Sequence, residues 1–131
     1  MIMTDKELYQ AAYEELDNAY APYSGFKVGA AVLTSSGKVY TGINIENSAY
    51  GVTICAERVA MSKAISEGHK DIVAIAIVSS DGWAYPCGTC RQFIYEFGED
   101  IRVIVGKDEN HLRTHTISEL LPYGFRLETK I

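Results

Sequence analysis

Apolar residues recur at helical spacing near the start of the chain: Leu8, Ala12, Leu16, Ala19 and Tyr20 share one face. Thr4-Asp5-Lys6-Glu7 supplies a capping box, with Thr4 as N-cap and Glu7 reaching back. Pro22 predicts that this helix stops before it. Val28 to Leu33 is apolar throughout, as expected of a strand covered on both faces. Turn residues Thr34 to Gly37 then lead into a returning strand, Lys38 to Glu46. In that strand Val39, Thr41, Ile43 and Ile45 point one way, and Tyr40, Gly42, Asn44 and Glu46 the other. Asn44 and Glu46 are thereby predicted to stand side by side, about 6.6 Å apart.

Thr53 is the expected N-cap of a second helix running to Gly68, with Ala56, Val59, Ala60, Ala64 and Ile65 turned inward. Ile72 to Val78 is a β-branched apolar run suited to a central strand. Ser79 to Tyr85 reads as loop. A third helix is predicted to start at Cys87 or Gly88 and to end at Gly98, with Cys90, Phe93, Ile94 and Phe97 on one face. Ile101 to Val105 is a further strand, Leu112 to Thr116 returns antiparallel to it, and Ile117 to Leu121 is a short helical turn before Pro122 to Phe125 and a polar tail. The strand-helix-strand unit from Ile72 to Val105 should be parallel with a right-handed crossover. The pattern as a whole predicts an α/β class, three-layer α/β/α fold with a mixed five-stranded sheet.

The chain has 131 residues and is 47% hydrophobic, which suits one domain over residues 1–131 with a substantial core. No apolar run is long enough for a membrane span, so no membrane partner is expected. Met1 to Lys6 lacks the basic-then-apolar pattern of a secretory leader. A cytoplasmic location follows, where thiols stay reduced. The net charge of -5, with acids scattered, argues against a nucleic-acid partner and for a small neutral one.

The three cysteines change the picture most. Cys55 stands two residues before Glu57, and Cys87 and Cys90 form Pro86-Cys87-Gly88-Thr89-Cys90. Three thiolates leave one corner of a tetrahedral zinc site open, the mark of a catalytic metal. Cys55 and Cys87 both fall at predicted helix starts, where free amides and the helix dipole favour thiolate. Glu57 lies about 200° around a helix from Cys55, so the two approach one point only in the first turn of that helix. Redox and structural use are the plain alternatives for a Cys-x-x-Cys. A structural site would want a fourth ligand, and His69, His111 and His115 have no useful spacing to the cysteines; these histidines read as solvated or loop residues.

The Cys-x-Glu…Pro-Cys-x-x-Cys signature resembles that of the zinc-dependent nucleobase and nucleoside deaminases in its all-cysteine form. The wider text is similar to the small homotetrameric cytidine deaminase family. The segments that match are Tyr20-Ala21-Pro22-Tyr23-Ser24-Gly25-Phe26-Lys27-Val28-Gly29-Ala30, Gly42-Ile43-Asn44-Ile45-Glu46-Asn47, Cys55-Ala56-Glu57-Arg58, Pro86-Cys87-Gly88-Thr89-Cys90-Arg91-Gln92 and Leu120-Leu121-Pro122-Tyr123-Gly124-Phe125. The resemblance implies one Zn²⁺ per chain on Cys55, Cys87 and Cys90, with water in the fourth place to attack C4 of the pyrimidine. It implies that Glu57 carries protons from that water to N3 and to departing ammonia. It also implies that Asn44 and Glu46 bind ribose, that Phe26 and Ala56 line the pyrimidine site, and that Phe125 completes the site of a neighbouring subunit in a homotetramer. Without the resemblance, Asn44 and Glu46 would read as an exposed polar strand face, Phe26 as core and Phe125 as a terminal plug.

Arg58 and Arg91 directly follow Glu57 and Cys90. Three thiolates on Zn²⁺ leave a net charge of -1, so both arginines are expected to donate to cysteine sulfurs and withdraw charge; surface pairing with acids is the alternative. Three functions compete. Deamination of free cytidine and 2′-deoxycytidine, serving pyrimidine salvage, is favoured by the Asn44/Glu46 pair. Deamination of a cytosine-nucleoside antibiotic such as blasticidin S would leave that pair unused. A zinc-stabilised binding protein would leave Glu57 without a task. Ser48 to Val52 and Trp83 depart from the resemblance and leave substrate preference open.

Overall fold

A computed structural model describes residues 3–128. Met1 and Ile2, and the last three residues of the expected polar tail, lie outside the described residues. The elements are α1 (Asp5–Tyr13), β1 (Val28–Thr34), β2 (Val39–Ile43), α2 (Ala56–Ser66), β3 (Ile72–Ser79), α3 (Gly88–Tyr95), β4 (Arg102–Asp108), β5 (His111–Thr116) and α4 (Ile117–Leu120). Five strands form one sheet in the order β2-β1-β3-β4-β5. β3 and β4 pair in parallel; the other neighbours are antiparallel.

β3 is the centre, and its unbroken apolar run serves both faces. Ile75 and Ile77 point into a core built with Ala60, Met61 and Ala64 of α2, Ile94 of α3 and Ile117 of α4. Ala74, Ala76 and Val78 point the other way, against Leu8, Tyr9 and Ala12 of α1. One helix on one face and three on the other give the three layers that the pattern predicts.

The register gathers three loops at one end of the sheet. Val28 pairs with Ser79, and Gly29 pairs with Ile43. The entry to β1, the exit from β2 and the exit from β3 therefore lie together. Phe26, Asn44 and the segment from Trp83 to Cys87 all follow from that arrangement.

Several boundaries differ from the sequence pattern. The α1 capping box forms, with Thr4 accepting from the Glu7 amide and Glu7 from the Thr4 amide. The α-helix ends at Tyr13, however, and a 3₁₀ turn over Leu16–Asn18 follows. Tyr20 is drawn out of helical geometry because its amide donates to the Asn44 carbonyl at 3.0 Å and its carbonyl accepts from the Glu46 amide at 2.8 Å. β2 stops at Ile43 rather than Glu46. Ile45 instead exchanges both backbone hydrogen bonds with Ile54, at 2.9 and 3.0 Å. That pairing holds residue 54 extended, so α2 begins two residues later than expected, with Cys55 and not Thr53 as N-cap. Thr53 ends a 3₁₀ turn over Tyr50–Val52.

α2 closes on Gly68 as expected. Gly68 adopts φ 91°, its amide donates to the Ile65 carbonyl, and the His69 amide donates to the Ala64 carbonyl. This is a Schellman stop, which a residue with a Cβ adopts only under strain.

The depth at which α2 sits is set by Gly42. A Cβ there would lie 2.5 Å from the Ala60 amide nitrogen and 2.7 Å from the Ala56 carbonyl oxygen. Both are backbone atoms of the helix that follows Cys55, so neither can turn aside. Gly42→Ala is expected to lower stability by about 2–3 kcal/mol, through overpacking that pushes the α2 start off the sheet. Gly51, with nothing within 4 Å of a built Cβ, is the control; its alanine variant should stay within about 0.5 kcal/mol of the parent in chemical denaturation. Equal stability of the two variants would show that α2 is not held at this depth.

Candidate metal centre and the cavity beside it

Two helix starts aim at one point. Cys55 is the N-cap of α2 and Cys87 the N-cap of α3, and neither side chain caps its own helix. Their sulfurs are instead left to face each other across 3.9 Å. Cys90, one turn into α3, is fully buried and completes the group. The three sulfurs all lie within 4.8 Å of one another. Tetrahedral zinc with Zn–S bonds of about 2.3 Å sets its sulfurs about 3.8 Å apart. The Cys55–Cys87 spacing matches that, and the three cysteines are free of disulfides. The donor set fits Zn²⁺.

The charges respond to this crowding. The Cys55 thiol is pulled down to about 5, first by the hydrogen bond from the Cys90 thiol and then by Arg58 and Cys87, against the opposing effect of burial. The Cys90 thiol is pushed up, because its proton is held by Cys55 and its surroundings are buried and already negative. The Cys55 thiolate forms readily, while the Cys90 thiol is held protonated by its neighbour.

Glu57 stands in the first turn of α2 and is only 5% exposed. Burial pushes its carboxyl up to about 7, helped by the charge on Cys55. It is a side chain balanced between its two protonation states near neutral pH, beside the sulfurs but not one of them. Such a group is equipped to take up and release a proton.

Arg58 Nη2 lies 3.7 Å from Cys55 Sγ and 3.4 Å from the Thr53 carbonyl. Its Nε is buried without a partner among the described residues. Arg91 behaves otherwise, and here the expectation is corrected. Its Nε donates to the Pro86 carbonyl and its Nη1 to the Leu120 carbonyl, both at 2.8 Å. It ties the start of α3 to the end of α4 instead of reaching a sulfur. The residue that answers it lies 29 positions along the chain, beyond the reach of local spacing.

A cavity of about 400 Å³ opens beside the sulfurs. Cys55, Ala56, Glu57 and Cys87 line its inner end, with Phe26, Val28, Asn44 and Ile77 along the sheet. Asn44 is 8% exposed. Its Oδ1 accepts from the Val28 amide at 2.9 Å and its Nδ2 donates to the Phe26 carbonyl at 2.8 Å. One N–H and one lone pair remain for the cavity.

Glu46 lies two residues on, past Ile45, which forms β-bridges with both Tyr20 and Ile54. It lines an adjoining cavity of about 370 Å³ with Tyr23, Ser24, Tyr50 and Thr53. Its carboxylate accepts from the amides of Tyr23 and Ser24 at 2.9 and 3.2 Å and from the Ser24 hydroxyl. The hydroxyl bond is the chief reason that its carboxyl lies below the usual range. Thr53 borders both cavities.

Phe125 is 63% exposed and away from this cavity, its carbonyl accepting from Gln92 Nε2 at 3.0 Å. Trp83 and Tyr85, by contrast, both line the cavity. Tyr85 was not legible as a site residue and Trp83 only as a departure; the available signal was two aromatics in a polar loop just ahead of Cys87.

Comparison with known proteins agrees with this geometry. A model described as the cytidine and deoxycytidylate deaminase zinc-binding region matches residues 2–107, which include the three cysteines and Glu57. A probable cytidine deaminase of Dictyostelium discoideum is 48% identical over 123 residues, covering 92% of this chain and 83% of the relative. A cytidine deaminase of Halalkalibacterium halodurans is 45% identical over 128 residues, covering 96% of this chain and 97% of the relative. Among solved structures, a cytidine deaminase from Burkholderia pseudomallei is similar with a TM-score of 0.88 and 42% identity, covering 94% of this chain and all of that one. By its matched region and by relatives that run nearly its full length, the chain belongs to the cytidine and deoxycytidylate deaminase zinc-binding family.

Proposed function

We propose that this chain is a zinc-dependent hydrolase that deaminates cytidine and 2′-deoxycytidine, giving uridine and 2′-deoxyuridine with release of ammonia, in pyrimidine salvage. The observation that carries the reading is a buried, non-ligating Glu57 at the edge of a three-sulfur cluster, both opening on one cavity.

Cys55, Cys87 and Cys90 hold one Zn²⁺ per chain, which supplies the Lewis acidity that makes water a nucleophile near neutral pH. Glu57 takes a proton from the water that adds to C4 and delivers it to N3. It then relays the second water proton to the exocyclic amine, which leaves as ammonia as the C4 carbonyl forms. A carboxyl held near pH 7 by burial can do both without a large uphill step in either direction. Arg58, close to the Cys55 sulfur, draws off part of the excess negative charge.

Phe26 and Ala56 bound the base, and Asn44 turns its remaining donor and acceptor toward the sugar. The two adjoining cavities suit a nucleoside lying across Thr53, base toward Glu57 and sugar hydroxyls toward Glu46. Phe125 serves a neighbouring subunit in a homotetramer. Its exposure, and that of Tyr123 and of Leu127 at 76%, suits a tail that packs on another copy. Among the described residues no helix is long and apolar enough to cross a membrane, and three unpaired thiols suit the reducing cytoplasm.

The test follows the loss of cytidine absorbance, with blasticidin S assayed in parallel and metal measured per chain. Turnover of cytidine with zinc near one per chain is expected. Glu57→Gln should keep its zinc and lose about 10²–10⁴-fold in kcat. Full activity in that variant, or turnover of the antibiotic alone, would reject the proposal.

Cys87→Ala is expected to lose zinc and activity together, because two sulfurs do not make the site. Zinc retained at the parent level in dialysed Cys87→Ala would place the metal elsewhere.

The two arginines should separate. Arg58→Ala is expected to slow turnover about 10–100-fold with zinc bound. Arg91→Ala should act mainly on thermal stability, since it removes two hydrogen bonds to carbonyls and none to sulfur. Equal losses of kcat in the two variants would contradict the assignment.

A further inference from the structure

The cavity is closed on one side by the aromatic pair Trp83 and Tyr85, from the loop between β3 and α3. Both are held from behind. The Arg113 guanidinium lies over the Trp83 ring, 4.5 Å from its centroid. The Tyr85 hydroxyl lies 3.2 Å from His115 Nε2, with the two ring centroids 5.6 Å apart. Arg113 and His115 are alternate residues of β5, paired with Val105 and Val103 of β4. Their side chains therefore share the sheet face on which Val103 and Val105 meet α2 and α3. β5 thus acts as a brace with two prongs, one behind each aromatic ring.

The brace stands opposite the proton carrier. β5 is one edge of the sheet and β2 the other. α2, which brings Glu57, packs over β1 and β2. Glu57 therefore approaches from the β1 side of the cavity, and Trp83 and Tyr85 from the β5 side. In the deaminase reading, on which this inference rests, Glu57 serves N3. The ring atom on the other side of C4 is C5, whose edge carries only C–H and suits an apolar aromatic wall rather than a polar one.

The geometry points to Trp83 and Tyr85 as the specificity-determining wall for the C5 edge of the pyrimidine, with Arg113 and His115 as positioning residues that fix the wall. A ring backed by a stacked guanidinium does not retreat to admit a larger group. The wall accepts hydrogen at C5 and discriminates against methyl and larger substituents, so cytidine is preferred over 5-methylcytidine.

The experiment compares kcat/KM for cytidine and 5-methylcytidine on the zinc-loaded protein. Trp83→Ala should shift the ratio toward 5-methylcytidine by about tenfold, the usual scale for a methyl-sized pocket difference. Arg113→Met, which keeps the stem and removes the charge, should shift it the same way by a smaller factor, in KM rather than kcat. Trp83 is the one tryptophan in the chain, so intrinsic emission of the unaltered protein reports on the wall even where Trp83→Ala fails to fold. Titration with uridine should change that emission along a saturating curve. A selectivity ratio unmoved in both variants, or emission unmoved at uridine concentrations that inhibit turnover, overturns this inference alone. No cytidine turnover by the unaltered protein overturns the deaminase reading and this inference with it.

Discussion

Three sulfurs confined to one small volume cannot all carry charge without help. Two thiolates about 4 Å apart repel by about 4 kcal/mol at an effective dielectric constant of 20. The fold answers with positive ends. α2 and α3 each begin at a site cysteine, so the uncapped amides of both helices point into the cluster. Arg58 adds a full charge against Cys55. A divalent cation held by the three sulfurs would do the rest, and the architecture around the cluster keeps these contributions converged.

The convergence is produced by the sheet. Antiparallel pairing of β1 with both β2 and β3 brings one chain entry and two chain exits to the same end. The strands supply position, the loops beyond them supply side chains, and the helix starts supply charge. Gly42 is the hinge between these roles, because its missing Cβ lets β2 lie directly under the turn of α2 that carries Glu57.

Much of this was legible in the sequence, for a local reason in each case. The Schellman stop at Gly68, the capping box at Thr4 and the two-faced apolar run of β3 are written in neighbouring residues. So was the cysteine and glutamate constellation, since a helix start is the one place where Cys55 and Glu57 face a common point. What escaped was non-local. The Ile45–Ile54 pairing shortens β2 and delays α2. Arg91 finds its acceptor in Leu120. The aromatic wall depends on β5 reaching the loop after β3, a contact across 30 residues. Spacing along a chain carries none of these.

Cys90 has no surface open to water, while Cys87 is exposed. A metal ion held by the three sulfurs would therefore meet water and any competing chelator on the Cys87 side, with the Cys90 sulfur sealed behind it.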